Sequence, residues 1–160
     1  MTRQPNADDA NLILRLYHLR REPRMREARR WLISSFKAKT VQGFQRVCPP
    51  GSEENASFRM VTTFWEMAAS FVVSGILHER LFFENHRELL VVWETVREVA
   101  AEMRSANSDP AYLHNLEHVA GAYARWLDQT SPGAWPALAA KIRGGPPAAA
   151  STSPEGERGS

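Results

Sequence analysis

The most apolar stretch of the chain is residues 58–77, FRMVTTFWEMAASFVVSGIL, where apolar residues cover most of the circumference of a helix. A helix of this kind is typical of the middle of a packed bundle rather than its rim. The stretch contains polar residues, and its apolar run is shorter than the roughly 20 residues that span a membrane. We therefore predict a central core helix over 57–74, ended by Gly75 in the left-handed conformation.

Helical spacing of apolar positions predicts two helices before the central one. The first begins near Asp8 and runs to Arg21, and Pro23 begins a second that reaches about Lys39. Residues 40–54 contain glycines and prolines that predict a loop or a frayed helix end. The apolar side of the first helix is formed by Leu12, Ile13, Leu16, Tyr17 and Leu19.

The same spacing predicts four helices after the central one. A short helix over 79–83 is followed by a long helix over 86–104. Another helix follows the turn at 107–110 and ends near Leu127, and a last short helix opens at Ser131. No segment shows the alternating pattern of a β-strand, so the chain is predicted to be all-α.

Length and composition fit one globular domain. The chain has 160 residues, of which 43% are hydrophobic, and this size supports a core without disulfides or metals. We predict a single-domain bundle of about six helices over residues 8–143, built around the central helix 57–74. Residues 1–7 are predicted to be a flexible N-terminus. The segment 144–160 is rich in Ala, Pro, Gly and Ser and is predicted to be a disordered tail.

The single cysteine and the residues that follow Met1 indicate the cellular compartment. Cys48 is the only cysteine, and a thiol with no partner in its chain fits a reducing compartment. Met1 is followed by polar residues rather than by an apolar secretory segment. We therefore expect a cytoplasmic protein without a membrane span.

Charge is distributed unevenly along the chain. Residues 1–46 carry eleven Lys and Arg against four Asp and Glu, whereas residues 47–131 carry six against twelve. A cationic face of this kind is what a phosphate backbone requires. Alternatively, the basic helices pack on an acidic stripe of the long helix, either within the chain or in a second subunit. This stripe is formed by Glu94, Glu98 and Glu102. The candidate basic surface consists of Arg20, Arg21, Arg24, Arg26, Arg29, Arg30 and Lys37.

A polar stripe runs along the central helix. Arg59, Thr63, Glu66 and Ser70 recur at helical spacing within the apolar sequence. A desolvated Glu66 would have a raised pKa and could act as a general acid or base. We favour a structural role, in which the stripe faces water or forms a polar seam where Glu66 meets an arginine of another helix.

One short metal-binding pattern is present. His114, Glu117 and His118 match H-x-x-E-H, and residues four apart on a helix project together. The match is only five residues long and no third ligand follows it, so we favour a solvated polar helix face. Phosphate loops, nucleophile elbows and Cys-x-x-Cys pairs are not found, so no cofactor is predicted and an enzyme has little support.

Several segments together make the chain similar to a family of small, uncharacterised bacterial helical proteins, one of the "domain of unknown function" groups. The similarity covers roughly residues 10–125. It implies an all-helical fold and a bacterial source, and it implies no activity. The segments that carry it are 16–21 (LYHLRR), 26–32 (REARRWL), 64–66 (FWE), 75–77 (GIL), 93–94 (WE) and 112–117 (YLHNLE).

Three functional hypotheses follow. The leading one is a cytoplasmic, non-enzymatic interaction protein that binds an unknown protein partner or a second copy of itself through part of an aromatic-rich face. The alternative is a nucleic-acid-associated protein that uses the basic helix 20–37. The third is a metal-dependent hydrolase that uses residues 114–118.

Overall fold

A computed structural model describes residues 3–144, and this part of the chain consists of eight α-helices joined by short connections, with no β-strand. The prediction of an all-α single domain is confirmed. The helices are α1 (Ala7–Arg21), α2 (Pro23–Ser35), α3 (Val41–Val47), α4 (Glu53–Val73), α5 (Glu79–Asn85), α6 (Glu88–Asn107), α7 (His114–Thr130) and α8 (Ala134–Ile142).

Helix α4 supplies one wall of the core. It packs mainly against α2 and α7 and also contacts α6. Burial of a large apolar side chain contributes about 1.5–3 kcal/mol, so this helix is a major source of stability. Arg59, Thr63 and Met67 remain exposed, which confines the burial to a broad face rather than the whole circumference. The buried residues of α4 are Phe58, Val61, Thr62, Phe64, Trp65, Ala68, Ala69 and Val72.

Helix α6 forms the opposite part of the core. It packs against α7 and also against α2, α3 and α8. Its inward face is apolar except for Glu94, whose side chain is held by Arg97 at 3.2 Å and by Arg143 at 2.5 Å. The buried apolar residues of α6 are Leu89, Leu90, Val92, Val96, Val99 and Ala100.

Helix α1 lies at the periphery. Its main neighbours are α2 and α5, and only Asp9 and Leu16 are buried along its length. Tyr17 and Leu19, which the sequence placed on the apolar side, are exposed. The helix therefore turns much of its surface away from the bundle.

Two boundaries differ from the prediction before the central helix. Segment 40–54 is not only a loop, because α3 forms within it and the Thr40 hydroxyl accepts a hydrogen bond from the Gly43 N–H at 3.1 Å. The second helix ends at Ser35 rather than near Lys39. Phe36 leaves the helical conformation and is buried against Phe58, with 5.1 Å between the ring centroids.

The central helix begins earlier than the predicted 57–74. Ser52 caps it by accepting a hydrogen bond from the Asn55 N–H at 3.1 Å, so Glu53 is already helical. A Ser at this position satisfies one of the free N–H groups of the first turn. At the other end Val73 is the last helical residue, and Gly75 has a φ of +74°, as predicted.

The ends of the domain are only partly described. Arg3 and Asn6, within the predicted flexible segment 1–7, make side-chain contacts with α1. The predicted tail 144–160 lies outside the described residues apart from Gly144. Along 3–144, the helices all fall short of the length and apolarity that crossing a membrane demands.

Candidate functional site

Glu66 caps the start of another helix. Its Oε1 atom accepts hydrogen bonds from the Asn115 N–H at 3.2 Å and from the Asn115 side-chain amide at 2.8 Å, and Oε2 accepts from the Leu116 N–H at 2.8 Å. Helix α7 has no side-chain cap at its own Leu113, which lies in the left-handed region with a φ of 52°. Because a helix N-terminus leaves N–H groups unpaired and carries partial positive charge, the carboxylate joins α4 to α7.

The other members of the polar stripe do not converge on Glu66. The Thr63 hydroxyl donates to the Arg59 carbonyl oxygen at 2.5 Å, and the Ser70 hydroxyl donates to the Met67 carbonyl oxygen at 2.7 Å. Each of these bonds lies within α4. The predicted arginine partner of Glu66 is therefore replaced by backbone N–H groups and one amide, and the carboxylate serves as a joint between two helices.

The H-x-x-E-H residues point away from the core. His114 and His118 are exposed on α7, and the Glu117 carboxylate pairs with Arg104 at 2.5 Å. Arg104 also donates to the Tyr112 carbonyl oxygen at 2.8 Å, so it fastens the turn before α7. Within residues 3–144 no three His, Cys, Asp or Glu side chains are grouped to hold a metal ion.

Arg29 was predicted on the outer basic face, and the structure places it between helices instead. Its guanidinium forms a two-pronged ion pair with Glu88 and also donates to the Arg20 carbonyl oxygen at 2.8 Å. The side chains of Arg29 and Glu88 are 18% and 15% exposed. Arg29 therefore links α2 to the end of α1 and to the first turn of α6.

Three more arginines of the basic surface lie near the α1–α2 junction. Arg20 is half-buried. Arg21 donates to the Tyr17 hydroxyl at 3.0 Å and lies 5.3 Å from the centroid of its ring. Arg24 is 3.7 Å from Glu53, with both side chains exposed. An exposed pair of this kind contributes only about 0–1 kcal/mol.

The remaining three, Arg26, Arg30 and Lys37, are exposed on α2 or just after it. None of them forms an ion pair with the part of the chain that the structure describes. Among residues 3–144, the members of the basic surface that form ion pairs are therefore Arg24 and Arg29.

Within one chain, the acidic stripe of α6 pairs with residues outside the basic surface. Glu98 pairs with Lys39 at 3.4 Å, and Glu94 pairs with Arg97 and Arg143. Glu102 is exposed. The stripe therefore holds α8 and the segment after α2, rather than the seven basic residues proposed for it.

Asp9 is a buried carboxylate that the sequence did not single out. It accepts two hydrogen bonds from the Arg3 guanidinium at 2.6 Å, one from the Asn6 N–H at 2.8 Å and one from the His78 N–H at 2.8 Å. The Arg3 guanidinium, with help from the two backbone N–H groups, lowers the pKa of Asp9 well below its usual range against the opposing effect of burial. The spacing Asn6-x-x-Asp9 is a capping box and was the available signal.

Arg3 extends this contact to the turn between α4 and α5. It also donates to the Ile76 carbonyl oxygen at 3.0 Å, and its own carbonyl oxygen lies 2.9 Å from His78 Nε2. A cleft of about 530 Å³ lies beside it, and two of its lining side chains, Arg80 and Glu84, pair with each other at 3.0 Å. Arg3 and His78 therefore hold the start of α1 and the turn before α5 together beside this cleft.

His86 is a second buried titratable group. It is 3% exposed and lies against the rings of Phe82 and Trp65, with centroid distances of 4.9 and 5.8 Å. Neither ring nitrogen has a hydrogen-bond partner among the described residues, and neither does Trp65 Nε1. Burial lowers the pKa of His86, so the neutral imidazole is part of an aromatic core.

Large apolar side chains are exposed on α1 and at the end of α4. On α1, Leu14, Tyr17 and Leu19 are 55%, 39% and 46% exposed. Val73 and Ile76 are also exposed, and Arg3 connects the backbone at Ile76 to the start of α1. Isolated exposed apolar residues are common in proteins. Leu14 and Tyr17 are three residues apart and are neighbours on one side of α1, whereas Leu19 projects about 140° away from Leu14.

Comparison with known proteins gives one match. A family model described as "Domain of unknown function (DUF4760)" matches residues 6–126. The match begins at Asn6, the N-cap of α1, and ends within α7. No curated protein and no solved structure matches the chain. Because the match covers most of the chain, this protein belongs to the DUF4760 family.

Proposed function

We propose that this protein is a non-enzymatic interaction domain that binds a protein partner through the outer face of α1, meaning the whole solvent-exposed surface of this helix, on which Leu14, Tyr17 and Leu19 lie. The observation that carries the proposal is the exposure of these three large apolar side chains on one peripheral helix. Covering such side chains with a partner removes apolar surface from water, which is the main driving force of association.

The helix is also held rigidly. The Asp9 carboxylate fixes its first turn to Arg3 and to the backbone of His78, and Arg29 donates to the backbone of Arg20 in its last turn. A rigid helix loses little conformational entropy when a partner binds. Tyr17 suits such a face because an aromatic ring offers a large contact area with few rotatable bonds.

The polar candidates support a non-enzymatic role. Glu66 caps α7, Glu117 pairs with Arg104, and Asp9 pairs with Arg3. In each case the carboxylate stabilises a helix end or a helix junction. We further propose a bacterial, cytoplasmic setting, on the basis of the resemblance to bacterial proteins and of the single, buried Cys48.

A site-specific photo-crosslinker tests this function. Benzoylphenylalanine is placed at Leu14 and, as a matched control, at Thr63, which is exposed on α4. After irradiation of cells that express each variant, we expect one discrete protein adduct at position 14 that mass spectrometry identifies reproducibly, and none at position 63. The adduct should be lost when Tyr17→Asp is added. Equal labelling at both positions, or none at position 14, contradicts the proposal.

A nucleic-acid-associated function is the second candidate. It is favoured by the exposure of Arg26, Arg30 and Lys37, which have no carboxylate partner within residues 3–144. If phosphates bind there, the affinity for fluorescent DNA or RNA falls steeply with salt, and each lost phosphate contact reduces the slope by about one.

The test compares two double variants with the same change in charge. Arg26→Glu with Arg30→Glu removes the candidate surface, whereas Arg59→Glu with Arg125→Glu removes two exposed arginines elsewhere. Nucleic-acid binding predicts that the first double variant loses affinity by at least tenfold more than the second. Absence of wild-type binding at low salt eliminates this function.

A further inference from the structure

The first three turns of α1 carry a shallow groove of about 570 Å³. Leu14, the most exposed large apolar residue of the helix, lies on its wall. Asp8 and Arg15 are exposed there, and neither forms an ion pair with any residue from 3 to 144. The lining residues are Asp8, Asn11, Leu12, Leu14, Arg15 and His18.

The two charges are arranged so that the face complements itself. Asp8 and Arg15 are seven residues apart, which is two helical turns and about 10.5 Å along the axis, so they project from the same side. A two-fold axis that runs beside α1 and perpendicular to it, level with the midpoint between Asn11 and Leu12, relates two antiparallel copies of the helix. An antiparallel copy of the helix therefore places Asp8 of each copy opposite Arg15 of the other.

We propose that the occupant of this groove is a second copy of the chain, with the two α1 helices antiparallel and two Asp8–Arg15 ion pairs across the axis. The inference rests on the proposed interaction function and names its partner. A symmetric contact of this kind closes on itself and gives a dimer rather than a fibre. Antiparallel packing also opposes the two helix dipoles favourably.

The self-complementary charges favour a second copy as the occupant, because every copy of the chain supplies both matching charges at the required spacing. A foreign helix of one charge sign would satisfy either Asp8 or Arg15 and repel the other. In the symmetric pair both are satisfied, and Leu14 of each copy covers the groove beside Asn11 of the other.

The area that α1 can bury against a second copy sets the expected affinity of the dimer. Helix α1 has 15 residues and is about 22 Å long, so one face buries less than the roughly 1,200–2,000 Å² of a stable complex. We expect a reversible dimer with a dissociation constant on the order of 100 μM at low salt. Because the ion pairs are at the surface, the dimer should weaken as salt is added.

Reversing the charge of Asp8 or of Arg15 tests whether these two residues pair across the dimer axis. Asp8→Arg gives a chain with two positive charges on the face, and Arg15→Asp gives one with two negative charges. Each variant repels itself, but a mixture of the two forms both ion pairs in a heterodimer. The tag-free full chain is studied by sedimentation equilibrium from about 10 μM to 1 mM, with circular dichroism to check that each variant folds.

We expect each single variant to dimerise at least tenfold more weakly than the wild type. The equimolar mixture, and the double variant with both reversals, should return to within about threefold of the wild type. If Asp8→Arg disrupts the first turn of α1, Arg15→Asp alone retains the test, because its own dimer must still be weakened.

The outcomes separate this inference from the proposed function. A wild-type dimer that both single reversals leave unchanged overturns the Asp8–Arg15 pairing while self-association stands. A monomer at 1 mM overturns the second copy as partner. In that case, a crosslinked adduct to another protein at position 14 still supports the interaction function. If no adduct forms at position 14, the interaction function is contradicted as well.

Discussion

The Glu66 carboxylate on α4 accepts a hydrogen bond from the backbone N–H of Leu116 in the first turn of α7, at 2.8 Å. These residues are fifty positions apart in the chain. The contact occupies a carboxylate that would otherwise be a candidate acid or base, and it supplies a cap that α7 lacks locally. It gives Glu66 a structural role at the junction of α4 and α7.

Removing this cap should destabilise the fold. Glu66→Ala is expected to lower the free energy of unfolding by about 1–2 kcal/mol, because it leaves N–H groups at the start of α7 without an acceptor. Glu66→Gln keeps one acceptor oxygen and should therefore lower the free energy of unfolding by less. Urea denaturation measures both, with Glu102→Ala, an exposed carboxylate of α6, as the control that changes stability by less than about 0.5 kcal/mol. An unchanged free energy of unfolding in Glu66→Ala would refute the capping role.

The Arg29–Glu88 ion pair should contribute to stability and not to ligand binding. Arg29→Ala is expected to cost about 1–3 kcal/mol, because the mostly buried Glu88 carboxylate is left unpaired. Arg26→Ala, on the exposed side of the same helix, is the matched control and should have little effect. A double-mutant cycle with Glu88→Gln isolates the pair, and a coupling energy near zero would contradict the link between α2 and α6.

Asp9 should make the fold sensitive to acid. Its pKa in the folded state is lowered, chiefly by Arg3, so its contribution to stability is complete above the unfolded pKa of about 3.9. That contribution is lost progressively as the pH falls below this value towards the folded pKa. Asp9→Asn should lower stability at pH 7 and flatten the dependence of unfolding free energy on pH between about 4.5 and 2. An unchanged dependence would show that the Arg3 contact is absent in solution.

His86 should make the stability of the fold depend on pH in a different range, between about pH 6.5 and 5. Burial lowers its pKa below the unfolded value of about 6.5, so the unfolded chain binds the proton more readily and stability falls as the pH drops below about 6.5. The Asn85 backbone and Glu88 oppose this direction, whereas Arg20 reinforces it. His86→Leu removes two buried nitrogens without partners, so it should reduce this loss between pH 6.5 and 5. Denaturation of both proteins at these pH values measures the difference, and identical pH profiles would contradict it.

Local sequence signals were sufficient for much of the fold. The apolar spacing of residues 58–77 predicted the core helix because burial of a broad helix face requires an apolar majority. Pro23 marked the start of α2 because its ring fixes φ near the helical value. Gly75 marked the end of α4 because glycine readily adopts a positive φ. The helix pattern and the all-α class depend on such local properties.

Features that depend on tertiary contacts were not predictable in the same way. No breaker ends α2 after Ser35; the chain turns there because Phe36 is buried against Phe58. The outward orientation of Tyr17 and Leu19 follows from α1 having only α2 and α5 as main neighbours. The cap on α7 and the pairing of Arg29 likewise join residues that are distant in sequence, so spacing alone suggested an arginine partner for Glu66 and a phosphate partner for Arg29.

The most direct measurement of the central claim is a dilution series of the isotope-labelled wild-type protein followed by amide NMR shifts between about 1 mM and 20 μM. If the outer face of α1 is the interaction surface and a second copy its partner, concentration-dependent shifts should be confined to α1, with the largest at Asn11, Leu14 and Arg15. Shifts that cluster on another helix, or a spectrum that does not change with concentration, would contradict the account.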